Sequence, residues 1–215
     1  MLVKPDLLVR ITDQLAGKPL DWDKLVPKFK ESEIYRKGKY SGGDLPSLFS
    51  ELGLRQNLEE ICAENSSVKF DAIKDGNAGE YYFITKDWRT HVLKAGESYG
   101  EIDQLAVIEG VPVLFEVKLI SSRYTKWRRR KSSKSGNGIN FHLRDENVSH
   151  AIAPVKKYFG TDDVGYVFIF YPALVSMGST VQRRFAKQNG VILPFYADRL
   201  KYMLEVLRVK SKYKL

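Results

Sequence analysis

The stretch Gly100-Glu-Ile-Asp103-Gln-Leu-Ala-Val-Ile-Glu-Gly110-Val-Pro-Val-Leu-Phe-Glu116-Val-Lys118 decides how this chain is read. Two runs rich in β-branched and aliphatic residues, 102–108 and 113–119, flank Glu109-Gly110. If those two residues form the turn, Ile108 faces Val111 and counting back sets Asp103 opposite Glu116, with Cβ atoms roughly 5 Å apart. A four-residue loop, Glu109 to Pro112, sets Asp103 opposite Lys118 on the same face. A three-residue loop reverses the face. Glu-Gly is not the favoured Asn-Gly of a two-residue hairpin, so sequence alone leaves the register open. Strand alternation places Glu116 and Lys118 on one face and Phe115, Val117 and Leu119 on the other.

Two carboxylates and an amine thus converge on one patch. Opposed like charges destabilise a sheet unless something compensates, and a hard divalent cation is the obvious compensation. Mg²⁺ takes oxygen ligands and keeps several waters. It can polarise a phosphate and lower the pKa of a bound water, while Lys118 orients that water or neutralises developing charge. The plainer alternative is a polar face on which Lys118 pairs with Glu116 or Asp103.

Outward from this stretch, residues 5–40 carry short helical patterns and a mixed basic run, broken by Ser41-Gly42-Gly43. Residues 1–43 read as an N-terminal helical extension and 44–215 as the main domain. Asp44 is placed to cap an amphipathic helix over 45–64, with apolar Leu45, Leu48, Phe49, Leu52, Leu54, Leu58 and Ile61 and a possible break at Gly53. Val68–Ile73, Tyr81–Thr85, Thr90–Leu93, Ile102–Ile108 and Val113–Leu119 read as one antiparallel meander. A helix from Glu146 to Phe159 ends at Gly160. Val164–Tyr171 reads as a strand buried on both faces. A helix over 180–188, a strand from Val191 to Tyr196 and a last helix capped by Asp198 follow. This order predicts an α/β or α+β sandwich, with helices on both faces of a mixed sheet.

Ile102-Asp103, a twelve-residue gap, then Glu116-Val117-Lys118 after an apolar strand resembles the signature of the PD-(D/E)XK nucleases. These include restriction endonucleases and Holliday junction resolvases. The resemblance spans roughly 45–200, and Ile102 stands where the motif's proline would be. It implies a restriction-endonuclease-like core of helix, three antiparallel strands, helix and strand. It implies Asp103 and Glu116 as ligands of Mg²⁺ or Mn²⁺, Lys118 as the catalytic lysine, and phosphodiester hydrolysis of DNA. The family often adds an acidic residue from its first helix. Glu51, Glu59 and Glu60 are candidates, and Glu51, between core positions Leu48 and Leu52, is favoured. Glu80 is a weaker candidate from the preceding strand. Glu101 is expected to face away from Asp103. A non-catalytic nucleic-acid-binding module on the same fold is the alternative, and the resemblance leaves a homodimer open.

Beyond Lys118 lie Arg123, Lys126, Arg128, Arg129, Arg130, Lys131 and Lys134 with no acidic residue among them, interleaved with Tyr124 and Trp127. Cations here can contact phosphates and aromatics can stack on bases, so this segment is the expected nucleic-acid contact. A net charge of +9 over 215 residues fits a polyanionic partner. One cysteine, Cys62, excludes a disulfide framework and reads as a small apolar residue rather than a nucleophile. His91, His142 and His150 lack metal-ligand spacing. No apolar run of transmembrane length and no signal-peptide pattern occurs, so a cytoplasmic location is expected.

Overall fold

The computed structural model describes residues 13–15, 18–41, 43–70, 73–118, 143, 145–170, 190–194 and 199–215. Helices α1 (Trp22–Glu31), α2 (Glu33–Arg36) and α3 (Leu45–Glu64) precede the strands. Among the described residues nine strands follow: β1 (Val68–Phe70), β2 (Gly76–Ala78), β3 (Tyr81–Lys86), β4 (Arg89–Lys94), β5 (Glu97–Ile102), β6 (Gln104–Ile108), β7 (Val111–Lys118), then β8 (Gly165–Phe170) and β9 (Gly190–Pro194). Helix α4 (Asp145–Phe159) precedes β8, and α5 (Arg199–Tyr213) closes the chain. No helix among the described residues is long and apolar enough to cross a membrane. The predicted helix over 180–188 and the cap at Asp198 lie outside the described residues.

The strands form two sheets, not one meander. A five-stranded mixed sheet has the order β1-β6-β7-β8-β9, and a four-stranded antiparallel sheet runs β2-β3-β4-β5. The second sheet is inserted between β1 and β6, which pair with each other (Val68↔Ile108). The apolar run Ile102–Ile108 is accordingly not a single strand: the backbone bends at Asp103 and passes from β5 of one sheet to β6 of the other. Parallel pairing of β7 with β8 and of β8 with β9 completes the mixed sheet.

The two-residue turn at Glu109-Gly110 forms, with φ of 50° and 82°. Both residues are left-handed, as a twist-matched hairpin turn requires, and Glu109 bears the strain that Gly110 does not. The register is Ile108↔Val111 through Gln104↔Phe115. One further step along that register sets Asp103 across from Glu116.

Alternation along the central strands sorts two cores. Ala106, Ile108, Val113, Phe115, Val117, Val167 and Ile169 pack with residues of α1, α3 and α5, among them Phe29, Phe49 and Tyr202. Leu105, Leu114, Tyr166 and Phe168 pack on the other side with Val148 and Val155 of α4 and with Phe83 and Val92 of the second sheet. Helices before residue 43 share the first core, since Leu20, Leu25, Val26 and Phe29 are buried in it.

Helix α3 lies in the middle of this packing and is buried on most of its circumference, polar Ser50, Glu51, Gln56 and Asn57 included. It runs through Gly53 without a break. A Cβ at Gly53 would stand 2.3 Å from Leu20 Cδ2, so the glycine makes room for the segment leading into α1. Asp44 occupies the N-cap position of α3, but its carboxylate accepts hydrogen bonds from the Ser41 N–H and hydroxyl instead of capping the helix.

Candidate active site

The bend between the sheets places the Asp103 side chain against the end of β7. Its Oδ2 accepts a hydrogen bond from the Val117 N–H at 2.8 Å, and the residue is 4% exposed. On β7, Glu116 and Lys118 share a face. Lys118 Nζ lies 2.6 Å from Glu116 Oε1 and 3.6 Å from Asp103 Oδ2. The predicted trio is therefore one contact group.

From α3, Glu51 reaches the same place. Three donors meet its Oε2: Trp88 Nε1 at 3.2 Å, Arg89 Nε at 2.6 Å and Arg89 Nη2 at 2.5 Å. Trp88 is buried in the turn between β3 and β4, and its carbonyl accepts from the Gln104 carboxamide at 2.9 Å. That bond fastens the turn to the start of β6, beside Asp103. Glu51, Glu101 and Asp103 each present a carboxylate oxygen within 4.8 Å of the other two. These three carboxylates could hold a metal ion.

Glu101 is a correction to the sequence reading, which turned it away from Asp103. Strict alternation carries side-chain direction only along one continuous strand. Here the strand ends at Ile102, and Arg89 draws Glu101 inward, with Nη1 to Glu101 Oε1 at 2.9 Å. His91 Nδ1 stands 3.6 Å from the other Glu101 oxygen, consistent with the pairing His91↔Glu101 across β4 and β5.

The remaining acidic candidates are engaged elsewhere. Glu59 pairs with Lys28 and Arg55, and Glu60 with Lys18 and Lys24. Glu80 pairs with Lys94 at 3.0 Å. The basic set Arg123, Lys126, Trp127, Arg128, Arg129, Arg130, Lys131 and Lys134 lies outside the described residues, as do Tyr124 and His142. Cys62 is half-buried against the helical core. His150 stacks on Tyr99 with centroids 4.0 Å apart.

Electrostatics mark the cluster. Burial, and then the charge of Asp103, push Glu51 up to about 8. The same two causes push Glu116 up to about 7. Burial works to discharge Lys118, but Asp103 and Glu116 outweigh it and raise its pKa above the ordinary lysine value. Lys118 is thus an ammonium, a hydrogen-bond donor and not a base. Burial and the neighbouring Glu116 and Asp103 also raise the Tyr166 hydroxyl well above its usual range. Four carboxylates (Glu51, Glu101, Asp103, Glu116) meet two fixed cations (Arg89, Lys118), a formal excess of two negative charges.

Arg89 and Tyr166 were not singled out by sequence. Arg89 reaches Glu101 through the pairing of β4 with β5, a strand that no apolar alternation marks in the sequence. No protein-family model matches the chain, and no curated protein or solved structure does.

Proposed function

We propose that this chain is a metal-dependent nuclease of the PD-(D/E)XK type that hydrolyses phosphodiester bonds of DNA. The observation that carries the reading is the charge balance of the cluster. Once Glu51 and Glu116 are deprotonated, this mostly buried cluster carries two negative charges in excess, which one divalent cation neutralises. The all-oxygen donor set suits Mg²⁺ or Mn²⁺. Support also comes from the element order: α3, then β1, β6 and β7 antiparallel, then α4 and β8, with the four-stranded sheet as an insertion in a restriction-endonuclease-like core.

Asp103, with Glu51 and Glu101 within 4.8 Å of it, would hold the cation, and Glu116 is the further ligand that the resemblance implies. When bound, such an ion would polarise the phosphate and lower the pKa of a coordinated water. Lys118, held as an ammonium, orients the attacking water and offsets charge that develops on the phosphate oxygens. The Asp103–Val117 hydrogen bond keeps one carboxylate in place without help from its cationic neighbours. Trp88 and the cationic Arg89 together fix Glu51.

A second reading is a non-catalytic nucleic-acid-binding module. The observation in its favour is that Arg89 and Lys118 already pair with the carboxylates, as in a structural ion-pair network.

Supercoiled, linear and branched DNA incubated with the protein in Mg²⁺, Mn²⁺ or EDTA separates the two. Metal-dependent cleavage that is lost in Asp103→Ala and Lys118→Ala supports the nuclease. Salt-dependent binding without cleavage supports the module, and cleavage that survives both substitutions places the active site elsewhere.

A further inference from the structure

A cleft of about 190 Å³ lies between β5, the start of β8 and α4, and it shares a wall with the acidic cluster: Glu101 and Glu116 are part of its lining. Its other walls include Tyr99, Asn147, His150 and Tyr166. Tyr99 and His150 are stacked with their planes 18° apart. The His150 ring nitrogen Nε2 stands 3.2 Å from the Tyr99 carbonyl. This contact fastens α4 to the edge strand of the second sheet and places both rings in the wall of the cleft. Asn147 adds a carboxamide, which can donate and accept at once.

We propose that the cleft receives the base of one unpaired nucleotide beside the scissile phosphate, so that the site selects DNA carrying an unstacked base. The inference rests on the nuclease reading for the position of the phosphate. Three observations support it. The cleft adjoins the carboxylates, so a nucleotide whose phosphate meets the cluster has its base within reach. Its volume is below the roughly 300–1,000 Å³ of pockets that enclose a drug-sized ligand, which suits one ring system and not a base pair. Its lining is rich in aromatic rings, Tyr99, His150 and Tyr166, the kind of wall against which an extruded base packs. Extruding a paired base costs unstacking and unpairing, whereas an unpaired base costs almost nothing, and that difference is the source of selectivity.

The test uses the full chain and three hairpin DNAs: fully paired, with one unpaired adenine, and with an abasic residue in place of that adenine. Affinity is read by fluorescence anisotropy in Ca²⁺ and cleavage of the same DNAs in Mn²⁺. Loss of one stacked base weakens binding by a factor of about 5 to 150. The wild type should therefore bind the unpaired-adenine hairpin at least about fivefold more tightly than the abasic one. His150→Ala and Tyr99→Leu should erase that difference, and a difference that survives in both variants overturns the inference. Equal affinity of the wild type for the two hairpins overturns the inference, even where metal-dependent cleavage is found. Base-dependent binding with no cleavage keeps the cleft and overturns the nuclease reading. Absence of binding to all three overturns both.

Discussion

Glu51 and Asp103 hold carboxylate oxygens within 4.8 Å of each other, one from the central helix and the other from the bend where the chain leaves one sheet for the next. Both residues are about 95% buried. Neither can retreat from the other, because α3 is packed on most of its circumference and Asp103 is pinned to the β7 backbone. The core thus forces like charges together, and the site's cations answer only part of that charge.

Arg89 is the strut between Glu51 and Glu101. Its side chain is 19% exposed and that of Glu51 6%. Removing one partner of a buried pair strands the other, at a cost of about 3–5 kcal/mol. Arg89→Ala should lower metal-free stability by about 3 kcal/mol at pH 8.5. The loss should be smaller at pH 6, where Glu51 is protonated. Urea unfolding measures this, and adding Glu51→Gln should recover most of the loss.

The raised carboxyls give the metal-free protein a defined pH dependence. Glu51 at about 8 and Glu116 at about 7 both start from an ordinary value of 4.5. Raised acids bind more protons in the folded chain than in the unfolded one. Their contribution to stability is therefore complete below about pH 4.5 and is lost as pH rises through 7 and 8. Chemical denaturation from pH 5 to 9 should show falling stability, and the Glu51→Gln/Glu116→Gln variant should flatten the curve. A cation demands the deprotonated ligands, so its affinity should rise over that same window.

Lys118 separates binding from chemistry. It sits against Glu116 and Asp103 and carries a proton. Lys118→Met should reduce kcat by about 10²–10⁴-fold, the range for a positioned proton or charge-stabilising group. Affinity for Mn²⁺ should hold or tighten, because a competing cation has been removed. A parallel loss of metal affinity would mean that Lys118 only supports the fold of the site.

Gly53 links the segment before α1 to the central helix. Alanine there would gain about 1 kcal/mol of helix propensity, yet its Cβ would meet Leu20 Cδ2 at 2.3 Å. Overpacking of a core costs about 1–3 kcal/mol. Gly53→Ala should therefore lower stability, and Leu20→Ala should cost less in that background than in the wild type. Thermal unfolding of the four proteins closes the cycle.

What the sequence disclosed follows from what is local. The hairpin around Glu109-Gly110 and the alternation along β7 are short-range features, so Asp103, Glu116 and Lys118 could be placed together before any coordinates. Glu51 was legible only as one of three, because Glu59 and Glu60 share its helix and only packing shows which way each points. Strand β5 was invisible: Glu97, Ser98, Gly100 and Glu101 are an edge strand's polar residues and carry no apolar alternation. With β5 missing, the bend at Asp103 was hidden inside an unbroken apolar run, and Glu101 and Arg89 were lost with it. The division into two sheets was equally closed to inspection, since the pairing of β1 with β6 spans an entire inserted sheet.

The account stands on a divalent cation at the acidic cluster, and calorimetric titration of the purified chain with Mn²⁺ at pH 8 tests that most directly. One site is predicted, weakened at least about 10–100-fold in Asp103→Asn, since even outer-shell partners of a metal carry that much. Absence of binding by the wild type, or binding that Asp103→Asn leaves intact, would contradict it.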